Sequence, residues 1–410
     1  MSITAALTGT AALAGLLTGC SASPPATAKS ASPSAMASGV TTSGNGSPAT
    51  SGKGAPASAT QDASCVDQVF GKLTEAQKIG QLFLVGMNDD EAGPATAAAE
   101  AQYHFGSVLF ATDTTEGVKA AAQTTSYVQS LATTPDTGGV RFFVGANQEG
   151  GEVQDLKGPG FTDMPSAVDQ GQMSDTELKT QATEWGRELK AAGVNFDLAP
   201  VMDVVPAGTA AANAPIGQLD REFGSTAQGN GAHGAAFING MAAAGVATSG
   251  KHFPGLGRVA GNTDFTANVV DSVTTPDDPY FATYRAAVSA GVPFMMVALA
   301  TYTKIDPSEL AVFSPTVMKI LRSSVGFQGV IMSDDIGDAA AVASIPAERR
   351  AISFLNAGGD MITSQSFPPA EQMATAVQSE VASSPSFSAK VDVAVKLILA
   401  AKQRYGLLSC

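Results

Sequence analysis

Gly245-Val246-Ala247-Thr248-Ser249-Gly250-Lys251-His252 is an uncharged run that ends abruptly in a lysine and an imidazole. Its apolar character is continuous rather than alternating, the pattern of a strand buried on both faces. Seven other runs share that character, at 79–85, 107–110, 142–146, 195–202, 294–300, 329–333 and 360–363. Between most of them lies a helical or Ala-rich stretch, such as 175–192 or 277–290. Eight βα units over roughly 345 residues predict a (β/α)8 barrel of TIM type. A doubly wound open sheet is the alternative. It would carry a glycine fingerprint for phosphates after an early strand, and none is present. No break in composition divides residues 65–410, which therefore read as one domain.

The composition narrows the function. Hydrophobic residues make up 44% of the 410-residue chain and charged residues 15%, enough to bury a sizeable core. The 23 Lys and Arg against 37 Asp and Glu give a net charge of −14, a surface that repels phosphate backbones. Nucleic acid is not an expected partner. A single Trp and 6% aromatics argue against a long carbohydrate groove floored with indoles. Three Cys and three His leave little material for a structural zinc site, so any metal chemistry would rest on carboxylates.

The first 20 residues form an apolar segment ending in Leu17-Thr18-Gly19-Cys20. That ending resembles the bacterial lipobox, after which Cys20 would be lipidated, although no Lys or Arg precedes the apolar run. Residues 21–64 are Ser, Ala, Thr, Pro and Gly almost throughout, the composition of a flexible tether. The expectation is an extracytoplasmic head that meets the membrane through a lipid anchor alone. In that oxidising compartment Cys65 and Cys410, at the two ends of the head, are expected to pair.

A barrel carries its chemistry at the C-terminal ends of its strands. The polar residues there are Asn147 to Gly151 after the third run, Asp203 after the fourth, Lys251-His252 ending the fifth, and Asp334-Asp335 ending the seventh. Four strand ends converging in Lys, His and carboxylates suggest a site.

The run Lys251-His252-Phe253-Pro254-Gly255-Leu256-Gly257 resembles a signature of glycoside hydrolase family 3, and most of all of its single-domain β-N-acetylglucosaminidases. Further strings match in family order. They are Asn147 to Gly151 with Val153-Gln154, Leu198 to Asp203, Arg221 to Gly224, Gly326 to Val330, Ser333-Asp334-Asp335 and Ala357 to Met361. The resemblance implies a (β/α)8 barrel and a retaining mechanism, in which one carboxylate attacks the anomeric carbon and a second group protonates the departing oxygen. By match to the Ser-Asp motif, Asp334 is the nucleophile, while Asp335 is read as the cap of the next helix. Lys251, His252, Arg221 and Asn147 fall on sugar-contacting positions. The resemblance implies no metal or organic cofactor.

Three departures stand out. Where much of the subfamily has Asp-Ser-His on a loop after the fifth strand, with the His as acid/base, this chain has Asn262-Thr263-Asp264. No His follows His252, so Asp264 is the expected acid/base, with Glu149 the next carboxylate in line. An Asp in that role needs a pKa raised above about 3.9. Asn147 stands where the family has Asp, and Glu152 and Asp155 stand where it has Arg, a change expected to add negative charge at the sugar. The resulting expectation is an exo-acting β-N-acetylglucosaminidase on cell-wall muropeptide fragments. The alternatives are another exo-β-glycosidase, a phosphorylase, or a weakly active sugar-binding lipoprotein.

Overall fold

The computed structural model describes residues 65–87 and 93–410. The segment 1–20 with Cys20, and the tether 21–64, lie outside the described residues. The eight expected strands are β1 (Phe83–Met87), β2 (Ser107–Phe110), β3 (Phe143–Ala146), β4 (Phe196–Asp197), β5 (Ala247–Phe253), β6 (Phe294–Val297), β7 (Val330–Asp335) and β8 (Met361–Ser364). They pair in parallel with sequential neighbours, and β1 closes on β8. Helical segments lie between successive strands, giving a (β/α)8 barrel.

Several of the expected strand runs are shorter than their apolar content suggests, and two of them show why. Residues 79–81 belong to the helix Glu75–Gln81, because Thr74 and Gln77 form a reciprocal capping box that starts a helix there. Ile79 is buried from that helix, so its apolarity serves packing rather than a sheet. Likewise, β4 ends at Asp197 although apolar residues continue to 202. Pro200 has no N–H to give a ladder. The chain nevertheless stays beside β5, with Ser249 N donating to Ala199 O and Lys251 N to Pro200 O.

The core explains why the site opens at one end. Phe143, Phe196 and Phe294 are the first residues of β3, β4 and β6. Their ring centroids lie 5.6 Å (Phe143–Phe196), 4.4 Å (Phe196–Phe294) and 5.3 Å (Phe143–Phe294) apart. Since β3 and β6 are not neighbours, the Phe143–Phe294 contact crosses the barrel interior. Three aromatic rings thus fill the N-terminal end, and the polar strand ends are left for the opposite mouth.

The C-terminal helix Pro385–Arg404 closes the N-terminal side. Its Lys402 is fully buried and donates to Gln81 Oε1 at 2.7 Å and Gly106 O at 2.6 Å. Burial pulls the Lys402 pKa down to about 7. Just beyond, Cys410 is joined to Cys65 as expected, closing a loop of sequence separation 345. No helix among the described residues is long and apolar enough to cross a membrane.

Such a cross-link removes chain entropy chiefly from the unfolded state. Replacing both cysteines by serine should lower unfolding free energy by about 2–5 kcal/mol, read from a shifted denaturant midpoint. An unchanged midpoint would show that the tie contributes nothing.

Candidate active site

A cavity of about 210 Å³ opens at the C-terminal mouth of the barrel. Leu109, Leu198 and Met296 give it an apolar floor, while Asn147, Arg221, Lys251, His252, Asp264 and Asp334 bring polar groups to its walls. The structure thereby brings together every catalytic and substrate-binding candidate drawn from the sequence. Lys251 and His252 are consecutive in β5 yet both face the cavity. The β5–β6 register shifts between Gly250 and Phe253, which breaks the ordinary alternation at that point.

Lys251 is 2% exposed and its ammonium lies 2.5 Å from Glu149 Oε1. Arg221 grips the same carboxylate with two bonds of 2.8 Å, from Nε to Oε2 and from Nη2 to Oε1. Burial acts to raise the Glu149 pKa, but Arg221 and then Lys251 outweigh it and hold it at about 2. Glu149 is therefore an ionised counter-ion to two cations, unsuited to donating a proton, and the sequence-based second choice of acid is corrected.

Lys251 Nζ also donates to Asn147 Oδ1 at 3.0 Å. Asn147 in turn donates to Asp155 Oδ2 from its backbone N (2.6 Å) and from Nδ2 (3.2 Å). The residues at 147 and 155 are thus in direct contact. Asp155 does not add charge to the sugar surface as expected, since it is buried behind Asn147. Desolvation raises its pKa to about 7 against the hydrogen bonds from Asn147. Glu152 is exposed. With its amide shared between Lys251 and Asp155, Asn147 orients the lysine as well as lining the cavity.

His252 is fixed by Asp203, a carboxylate beyond β4 to which the sequence motifs assign no task. Asp203 Oδ2 lies 2.7 Å from His252 Nδ1. Its Oδ1 accepts from His252 N (3.1 Å), Leu256 N (3.0 Å) and Tyr284 Oη (2.9 Å). Burial would raise the Asp203 pKa, but His252 leads a set of partners that lower it. An ionised carboxylate accepts only, so Nδ1 carries the proton and Nε2 is the free ring nitrogen. Gly257 lets the following loop lie against the β4 side, since a Cβ there would stand 2.0 Å from the Val204 carbonyl oxygen. Tyr284 comes from a helix far along the chain, and no local motif announces it.

Asp334 is half-buried near the end of β7, and its Oδ1 accepts from Asp335 N at 2.9 Å. Asp335 serves the turn beyond, accepting from Gly337 N (2.9 Å) and from Gln365 N after β8 (3.1 Å). Its pKa rises to about 7, burial outweighing those bonds. Opposite these carboxylates comes the loop of Asp264. Asn262 Oδ1 accepts from Asp264 N at 2.9 Å, folding the loop on itself. The Thr263 and Asp264 carbonyls accept from Ala341 N (3.1 Å) and Ala340 N (3.0 Å), in the short turn after β7. Two carboxylates from distant sequence are thereby tied into one frame.

Asp264 is an exposed residue, yet it lines the cavity beside Asp334. Partial desolvation first, and then the Asp334 charge, raise its pKa above the ordinary aspartate value. His252, Arg221 and Lys251 act in the opposite sense. The direction is the one a general acid near neutral pH requires.

The chain is similar to proteins of known family. The sequence profile of the glycosyl hydrolase family 3 N terminal domain matches residues 74–400. A beta-hexosaminidase of Vibrio cholerae serotype O1 is 35% identical over 223 residues, covering 53% of this chain and 64% of that protein. The match thus spans just under two thirds of that relative's length. A beta-N-acetylglucosaminidase/beta-glucosidase of Cellulomonas fimi is 30% identical over 311 residues, covering 72% of this chain and 52% of that one. Among solved structures, a beta-N-acetylhexosaminidase from Beutenbergia cavernae DSM 12333 superposes with a TM-score of 0.78 at 44% identity, covering 81% of this chain and 99% of that one.

Removing the central counter-ion should be costly. Glu149→Gln strands Lys251 and Arg221 in a buried site without their anion, so the protein should lose about 3–5 kcal/mol of unfolding free energy. Equal stability of parent and variant in urea would show that water or another anion already neutralises the pair.

Proposed function

The chain belongs to glycosyl hydrolase family 3, and from that membership we propose that it is a retaining, exo-acting β-N-acetylglucosaminidase. The observation that carries the reading is the convergence of Asp334 and Asp264 on one small cavity whose other wall holds Lys251 and His252. A pocket of that size suits one terminal sugar ring, with the cleaved bond at its mouth. Lys251 offers donors to ring hydroxyls, and His252 offers Nε2 as a directional partner.

In the first step an Asp334 oxygen bonds to the anomeric carbon as the glycosidic C–O bond breaks, and Asp264 delivers its proton to the departing oxygen. In the second step Asp264, now a base, takes a proton from water. The resulting hydroxide attacks the anomeric carbon and frees Asp334, so configuration is retained overall. Hydrolysis is favoured over phosphorolysis, because an incoming phosphate would meet the Asp264 carboxylate in its ionised form. The raised pKa of Asp264 supports its role as acid.

The proposed substrate is a terminal N-acetylglucosamine on a muropeptide fragment of the cell wall. The location proposed is outside the cytoplasmic membrane, with Cys20 lipidated. Support comes from the lipobox-like Leu17-Thr18-Gly19-Cys20 and from the Cys65–Cys410 bond, which needs an oxidising compartment. A fatty-acid probe should label the parent in cells and leave Cys20→Ala unlabelled; equal labelling of both would place the lipid elsewhere.

A fluorinated slow substrate should leave its glycosyl group on the peptide that contains Asp334, as read by mass spectrometry. A label on another peptide, or inverted product, would remove Asp334 from the role. Asp264→Ala should lose on the order of 10²–10⁴-fold in turnover of a disaccharide and much less in the first step with a nitrophenyl glycoside. Azide, which needs no deprotonation, should restore turnover and give a β-glycosyl azide. Undiminished disaccharide cleavage would make the loop aspartate a bystander.

A further inference from the structure

Five large hydrophobic side chains are exposed among the described residues, at Tyr127, Phe265, Val270, Val273 and Val393. Phe265 is the most exposed at 84%, and of the five it alone lines the cavity that holds Asp334 and Asp264. A single exposed apolar side chain is ordinary on a protein surface, and what sets Phe265 apart is its place on the lining of this cavity. Its backbone is not free to swing the ring away. Phe265 N donates to Asn262 O at 3.2 Å, and the two preceding carbonyls are tied to Ala340 and Ala341. The ring is thus carried on a fixed lip without being buried by it.

Its position along the chain gives its side of the reaction. The acid must stand beside the leaving oxygen. Phe265 directly follows Asp264 and is 84% exposed, whereas Lys251 and His252 on the same cavity are 2% and 5% exposed. It therefore stands at the outer rim, the side toward which a leaving group extends. We propose that Phe265 forms an aglycone-side subsite, packing against the C–H face of a second pyranose ring and selecting leaving groups that are themselves sugars. The inference deepens the proposed function and rests on Asp264 being the leaving-group acid.

The test compares a β-linked N-acetylglucosamine disaccharide with the corresponding glycosyl fluoride, whose leaving group has no ring. For Phe265→Ala the ratio of kcat/KM on the disaccharide to that on the fluoride should fall roughly 3- to 10-fold, the size of an aromatic contact, and mostly through KM. Phe265→Trp should keep the parent ratio. An unchanged ratio in Phe265→Ala overturns the subsite, whether both rates fall together or neither does. Binding of the intact disaccharide and of free N-acetylglucosamine to Asp334→Asn, with and without Phe265→Ala, asks the same question without turnover. Weaker binding of the disaccharide alone supports the subsite, and equal losses for both sugars overturn it. Failure of the acid assignment would show separately, as an Asp264→Ala enzyme that still cleaves the disaccharide.

Discussion

A buried carboxylate between two cations sets the geometry of the mouth. Glu149 follows β3, Lys251 lies near the end of β5, and Arg221 comes from the long connection after β4, so one anion ties three segments together. Two positive charges in a cavity with an apolar floor would repel each other and lose hydration. With Glu149 ionised between them, both can stay charged and keep donors facing the cavity. Such an arrangement gains little net stability over apolar packing, but loss of one member is costly. It therefore reads as a device for orientation. Asp203 acts in parallel, holding the imidazole of His252 and the loop of Leu256 with one carboxylate.

On the facing side the proposed chemistry rests on two carboxylates whose environments differ. Asp334 sits on a strand and Asp264 on a loop anchored to the turn after that strand. Anchoring keeps the two groups close enough to influence each other electrostatically, and that influence moves Asp264 toward the protonated form. A histidine in the same place would need no such help, being ordinarily closer to neutrality. In the proposed role Asp264 relies on partial desolvation and on Asp334 for that shift. The Asn147–Asp155 contact holds the Asn147 amide in place, and its oxygen accepts from Lys251.

Much of this is legible in the sequence, for reasons that can be named. Continuous apolar runs ending in polar residues give the strand count, because parallel strands are covered on both faces and end where the core ends. Asp334 and the Lys-His pair, which the structure places on one cavity, are visible because they sit in one contiguous motif each. Ile79 misleads because apolarity reports burial and not the kind of element that buries. Asp155 misleads because a carboxylate viewed alone carries no sign of the amide that covers it. Tyr284 lies 81 positions from Asp203 and Glu149 lies 72 from Arg221, pairings that no local pattern can encode. Phe265 is unremarkable in sequence and stands out only once its exposure beside the cavity is known.

The central claim is that Asp334 tunes Asp264 into a proton donor. Carbon-13 NMR of labelled aspartate carboxyls measures this directly, comparing the parent with Asp334→Asn. The account predicts that Asp264 titrates above the ordinary aspartate value in the parent and shifts downward when the Asp334 charge is removed, with part of the elevation left by desolvation. An Asp264 that titrates as an ordinary surface aspartate, or that ignores the loss of Asp334, would contradict it.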